Sequence, residues 1–260
     1  MKSKKYYYAV IFGLAFSCFI VMATTVITLA LDLPAFGRTI CNLHLSGGKI
    51  DFFGGFPFSI QALTYFAFGI ACALIWFRNR ETKSELLVLN AGLLPENERT
   101  LVQPADIADL RKKMMPYKNS ILCSLIERAL LQYQTTTSTS ETAAIVNSTA
   151  DVFYNRMESE YAIIRYLAWA IPSLGFVGTV MGIGKALSGF GSIDSLPMDY
   201  ITSNLSTAFD TTFIALILSL ILMFLIHVSQ AKEETLINSA HNYCISNLIN
   251  RIFNPEQLTK

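Results

Sequence analysis

The chain has 260 residues, of which 52% are hydrophobic and only 15% charged, and its mean hydropathy is positive. Soluble domains carry about a quarter charged residues, so this composition argues against an ordinary soluble enzyme. Twenty Lys and Arg balance nineteen Asp and Glu for a formal charge of +1, which argues against the basic surface that direct DNA or RNA binding needs.

The five cysteines (Cys18, Cys41, Cys72, Cys123 and Cys244) stand singly with no C-x-x-C spacing, indicating neither a disulfide scaffold nor a metal site.

Residues 6–31 carry no charge, a run of roughly 26 residues against the about 20 that a helix needs to cross the hydrocarbon core. Lys2, Lys4 and Lys5 precede it as in a secretory signal. Signal cores span only about 7–15 apolar residues, so a retained anchor is expected. A second run covers 52–77, its helix starting a few residues in, after Gly54, Gly55 and Pro57. The third, 166–184, lies between Arg165 and Lys185, and the fourth, 211–227, follows Asp210. Tyr6, Tyr7, Tyr8, Trp76 and Trp169 fit interfacial anchors.

Basic residues collect on the cytoplasmic side of a membrane. Here they crowd the N-terminus and the segment between the second and third runs, whereas the loop between the first two has only Arg38 and Lys49. The turn after the third run, 191–203, has none. Both termini and the middle segment are therefore predicted cytoplasmic. Within that segment Pro95, Pro104 and Pro116 predict short helices, one starting before Ile107 and one over 118–133 with Ile121, Leu125 and Ala129 on a face. Arg111, Lys112 and Lys113 read as a solvated or lipid-headgroup face. A Thr/Ser tract at 135–142 ends in a cap signal, Ser138 three residues before Glu141.

From Glu141 the apolar pattern runs without a break to Gly189, a helix on the order of 70 Å long at 1.5 Å per residue and far longer than a bilayer is thick. Leu236, Ala240, Cys244, Leu248 and Ile252 continue a helix beyond the fourth span. The expected fold is an all-α integral membrane protein with four transmembrane helices, spans three and four extending into the cytoplasm as a long antiparallel hairpin. The chain divides in series: an N-terminal transmembrane hairpin over 1–78 (spans about 6–31 and 56–77), a cytoplasmic helical segment over 79–140, the long hairpin over 141–253 (spans about 165–190 and 202–228), and a tail from 254 to 260.

Ala168, Pro172, Gly175, Thr179, Gly182, Ala186 and Gly189 recur every three or four residues and fall on one helix face. Ala208, Thr212, Ala215 and Ser219 form a matching stripe. Two readings stand: close packing of membrane helices, which small residues permit, or a surface kept bare for a partner or an ion. In an antiparallel pair, level residues have position numbers that add to a constant. Thr179 with Thr212, Arg165 with His227 and Lys185 with Asp210 agree within a turn, so two hydroxyls sit level near mid-membrane, where each needs a polar partner.

The segment Pro172-Ser-Leu-Gly-Phe-Val-Gly-Thr-Val-Met-Gly-Ile183, followed by Leu205-Ser-Thr-Ala-Phe-Asp-Thr-Thr-Phe-Ile-Ala-Leu216, resembles the paired helices of the MotA/TolQ/ExbB proton-channel family. The first resembles its P-x-L-G-x-x-G-T-x-x-G pattern and the second its A-x-x-x-T-x-x-G/A-L pattern. Four spans with a cytoplasmic segment between the second and third resemble the MotA-like branch. The resemblance implies a homo-oligomeric ring of five chains in the bacterial inner membrane, around a dimer of single-span MotB/ExbD/TolR-like subunits with a membrane Asp. It implies a function too: a subunit of a proton- or sodium-driven motor or energy transducer, with the ion its only cofactor. Thr179 and Thr212 would face the partner's carboxylate and Pro172 would shape the pore helix. Thr211, Gly175, Gly178, Gly182, Ala215 and Ser219 would complete the ion-pathway and partner-facing surface. Asp210 and Lys185 carry two readings, ion entry or a structural pair.

No acidic residue lies at mid-membrane depth in these spans, so the chain needs a partner to shuttle an ion. A structural or scaffolding membrane protein is the alternative class, and an ExbB/TolQ-like outer-membrane energiser the alternative within the family. Enzyme activity is not expected: Ser219 has no histidine at its depth and no H-E-x-x-H occurs. The coupling ion and the output, whether motility, gliding, outer-membrane energisation or phage defence, stay open.

Overall fold

The structure is a computed structural model describing residues 7–8, 10–15, 18, 45–46, 49–50, 60–95, 107–188 and 198–251. Most of the first predicted span, most of the two predicted outer loops and the predicted tail lie outside the described residues. Those described are almost all helical. The departure from the all-helical expectation is a two-residue antiparallel ladder, β1 (Leu45–Ser46) with β2 (Lys49–Ile50), Leu45 opposite Ile50. Among the described residues, three helices are long and apolar enough to cross a membrane.

The first of these, α1 (Ile60–Leu89), runs on well past residue 77, where the second span was expected to end. The residues after Phe77 explain this: Arg-Asn-Arg-Glu-Thr-Lys-Ser-Glu contains no helix breaker. Termination comes at Gly92, whose φ of 60° only glycine adopts without strain. Helix α2 (Ile107–Met114) is followed by a 3₁₀ turn, Met115–Tyr117, which contains Pro116. Helix α3 (Ile121–Thr136) starts where Ser120 accepts a hydrogen bond from the Cys123 N–H at 3.1 Å, and it ends at Thr137 in a left-handed conformation. Ser138 then caps α4 (Thr139–Ser188) by accepting from the Glu141 N–H at 3.4 Å, as its place in the tract predicts. Helix α5 (Met198–Asn247) is as long, 50 residues, and begins inside the predicted turn.

Two compact units result: residues 1–77 with 162–227, and residues 78–161 with 228–260. Helices α1, α4 and α5 each contribute residues to both units.

In the first unit, Tyr65, Phe68, Ala71 and Ile75 of α1 are buried. Residues 10–15 are helical and lie tight against α1, since a Cβ on Gly13 would come within 2.6 Å of the Ile70 Cα. Phe12 stacks on Trp76 at 5.5 Å. Helices α4 and α5 pack antiparallel, Ala168 meeting Ser219 and Gly182 meeting Ala208. Their outward surface is apolar and exposed, including Trp169, Phe176, Val180, Phe209, Phe213 and Leu220. So much bare aromatic and aliphatic side chain suits lipid or a partner protein, not water.

The second unit holds a continuous core. Leu93 and Leu94 after α1, Ile107, Leu110 and Met114 of α2, and Leu122, Leu125, Ile126, Leu130 and Tyr133 of α3 pack with Val146, Ala240, Cys244 and Leu248. Polar ties fix its turns: Tyr243 hydrogen-bonds the Leu94 backbone at 3.3 Å, and Arg251 donates to the Pro95 carbonyl at 2.6 Å. Glu85 accepts from the Ile121 N–H at 2.9 Å and satisfies a donor that the start of α3 would leave unpaired. The predicted short helices, α2 and α3, thus share one core with residues of α4 and α5.

Candidate functional site

The small-residue stripes meet each other within the chain. A Cβ on Gly175 would lie 2.5 Å from the Ala215 Cβ, one on Gly178 2.5 Å from the Thr211 Oγ1, and one on Gly182 2.6 Å from the Ala208 Cβ. Real carbon atoms do not approach so closely, so glycine at these three positions lets the backbones of α4 and α5 touch. Gly175, Gly178, Gly182, Thr211 and Ala215 are accordingly buried in this seam and face α5 or α4 of the same chain. The Thr211 hydroxyl donates back to the Ala208 carbonyl at 2.8 Å and has no hydrogen left to offer elsewhere.

Thr179 and Thr212 sit at the edge of the seam, half-buried. The sequence sets them level, and their hydroxyls are hydrogen-bonded to each other. Each also reaches two carbonyls: Thr179 lies 3.3 Å from both the Gly175 and Ala208 oxygens, and Thr212 lies 3.1 Å from Gly175 and 3.4 Å from Ala208. Because Thr211 also donates to the Ala208 carbonyl, at 2.8 Å, three hydroxyls converge on two carbonyls, and that of Gly175 is left to Thr179 and Thr212. Each hydroxyl has only one proton to donate and two lone pairs with which to accept. One threonine can therefore turn its O–H outward to an anion while the other keeps the inner contact, with little loss of hydrogen bonding inside the seam.

Pro172 and Ser219 form the second feature. Proline has no N–H, so it leaves the carbonyl of Ala168, four residues back, without its helical donor. Ser219 Oγ donates to that carbonyl at 3.1 Å from α5. Next to it, Ser173 donates back to Trp169 at 3.1 Å. The proline is tolerated because the facing helix supplies the missing donor.

Asp210 and Lys185 do not share the threonine edge. At about 100° per residue, Lys185 lies about 120° round α4 from Thr179, and Asp210 about 160° round α5 from Thr212. Lys185 is exposed and Asp210 half-buried.

Sequence reasoning found the threonines and the glycines but not the carbonyls of Gly175, Ala208 and Ala168, since backbone acceptors have no residue-type signal. The proline was a usable clue to the last of them.

Residues 117–242 match the family model described as the MotA/TolQ/ExbB proton channel family. No curated protein and no solved structure matches the chain. Members of the family are membrane-embedded channel and energy-transducing proteins and not enzymes. This matched region, just under half of the chain, includes Pro172, Thr179, Thr212 and Ser219, and through it the chain is similar to the MotA/TolQ/ExbB proton channel family.

Proposed function

We propose that the chain is the ring-forming subunit of an ion-driven transducer in the bacterial inner membrane, five copies surrounding a pair of single-span partner subunits that each bring a membrane carboxylate. Proton or sodium flow would then move the partner relative to the ring. The observation that carries this reading is the Thr179–Thr212 hydroxyl pair, half-buried at the rim of a tight seam. It lies in two apolar stretches, 166–184 and 211–226, that contain no Asp or Glu.

A charged carboxylate in low dielectric is held at such a pair by an outward hydroxyl, and protonation removes that preference. The neutral acid then moves to the pair of the next chain. The membrane potential supplies about 2.3 kcal/mol per charge per 100 mV, enough to bias each step. In this reading Thr179 and Thr212 meet the carboxylate, and Pro172 with Ser219 shapes the helix below them. Gly175, Gly178, Gly182, Thr211 and Ala215 hold the two helices close enough to set the pair. Asp210 and Lys185 stand off this path. Helices α4 and α5 would continue into the cytoplasm as one hairpin, with both termini on that side.

A structural reading is favoured by one observation: contacts within the chain account fully for the small seam residues. They are therefore no argument for a pore, and the threonine pair has to bear the proposal. The test combines native mass measurement of the membrane-purified complex with ion flux in proteoliposomes made from it. A multimer with a smaller partner, whose flux Thr179→Val and Thr212→Val each cut at least about tenfold while assembly persists, is the expected result. A partnerless monomer, or flux untouched by both substitutions, overturns it.

A further inference from the structure

Within the second unit, α1, α4 and α5 bring one guanidinium to two carboxylates, Glu233 buried and Glu160 part-buried. Arg78 donates to Glu160 through Nη1 and to Glu233 through Nη2, and its Nη1 lies 3.4 Å from Glu81. Glu160 has a second cation, Arg156, whose Nε is 3.0 Å away. Glu81 is 41% exposed. Glu233 has only 9% of its side chain exposed and shares Arg78 with the others. It is thus the least compensated carboxylate of the group.

Three buried atoms here have no hydrogen bond: Glu233 Oε2, the Tyr161 hydroxyl and Arg78 Nε. Tyr161 is completely buried, its ring beneath the Arg78 guanidinium at 5.8 Å. Ser229, the neighbouring hydroxyl on α5, spends its proton on Asn79 Oδ1 at 2.8 Å. An unpartnered buried polar atom is costly, and a single hydrogen bond between the Glu233 oxygen and the Tyr161 hydroxyl satisfies those two.

We propose that Glu233 is a proton-binding site: Oε2 takes up one proton from solvent and donates it in a hydrogen bond to the Tyr161 hydroxyl, while Oε1 continues to accept from Arg78. The junction gains one positive charge on uptake and nothing else changes covalently. Burial acts in the same sense, lifting Glu233 above the ordinary carboxylate range, with Glu160 adding to it and Arg78 and Tyr161 opposing. Burial also lifts Tyr161 and keeps its hydroxyl neutral. The facing charged groups, Arg78 and Glu81 from α1 and Glu160 backed by Arg156 from α4, choose the ligand. A guanidinium in direct contact repels a metal cation such as sodium, whereas a proton neutralises the carboxylate without adding a separate ion. The site lies apart from the threonine pair and does not depend on the proposed transducer role.

The experiment is infrared difference spectroscopy of the purified full-length chain across a pH titration. The expected result is the C=O stretch of a protonated carboxylic acid, titrating above the ordinary glutamate range. It persists in Glu160→Gln, vanishes in Glu233→Gln, and does not respond to sodium at fixed pH. If Glu233→Gln yields no folded protein, Tyr161→Phe carries the test, moving the band to higher frequency because the acid loses its acceptor. The absence of such a band, a band that follows Glu160, one displaced by sodium, or one unmoved in Tyr161→Phe overturns the proposal.

Discussion

Ser219 supplies from α5 the hydrogen-bond donor that Pro172 withholds from α4, through the Ala168 carbonyl at 3.1 Å. The two residues are therefore coupled although they need not touch. Replacing Ser219 by Ala strands that carbonyl and should cost about 1 kcal/mol, within the range of interhelical hydrogen bonds in membranes. Replacing Pro172 by Ala restores an N–H and makes the serine dispensable. In the double variant the Ser219→Ala penalty should disappear, a non-additivity measurable as unfolding free energy in detergent. Additive effects would disprove the coupling.

The seam makes a sharper contrast between two glycines of the same helix. A Cβ on Gly182 would meet Ala208 at 2.6 Å and the Asn204 carbonyl at 3.1 Å, whereas one on Gly184 meets nothing within 4 Å. Gly182→Ala should therefore destabilise the α4–α5 contact by about 1–3 kcal/mol. Gly184→Ala should be neutral, or stabilising by up to about 1 kcal/mol through helix propensity. Thermal denaturation of the two variants side by side decides it, and equal effects would mean the helices do not approach as closely as described.

Why the membrane half was legible and the rest less so follows from what each signal depends on. Small residues every three or four positions report a close helix approach directly, and one antiparallel register then sets Thr179 level with Thr212. Nothing equally local marks Arg78, Glu160 and Glu233, which are distant in sequence and look like ordinary charges of a cytoplasmic segment until three helices gather them. The extension of α1 to Leu89 was hidden for a similar reason: hydropathy ends at the membrane edge, but helix propensity does not.

Glu85 gives a pH prediction for the second unit. Burial lifts its carboxyl above the ordinary range, and the hydrogen bond from the Ile121 N–H opposes the lift. The folded state thus holds its proton more tightly than the unfolded chain, so this residue's effect is harmless below the unfolded value of about 4.3. It becomes destabilising as pH rises through the raised one. Glu85→Gln keeps an acceptor for Ile121 without the buried charge. It should leave stability at neutral pH equal or higher and flatten that part of the pH dependence. Glu85→Ala removes the acceptor and should cost about 1–2 kcal/mol. Loss of stability in the glutamine variant as large as in the alanine variant would show that the charge itself is needed.

The threonine pair separates hydrogen-bonding chemistry from shape. Valine matches threonine in form but has no hydroxyl, whereas serine keeps the hydroxyl and loses a methyl group. The Gly175 and Ala208 carbonyls are also helix backbone acceptors, so Thr179→Val and Thr212→Val should leave the fold within about 1 kcal/mol of the parent. If an outward hydroxyl holds the partner's carboxylate, ion flux should fall at least about tenfold in either valine variant, the equivalent of about 1.4 kcal/mol. Either serine variant should keep most of the flux. Because the two hydroxyls share the same pair of carbonyls, the double valine variant should be little worse than either single one. Flux that follows side-chain volume, with serine worse than valine, would assign the pair to packing alone.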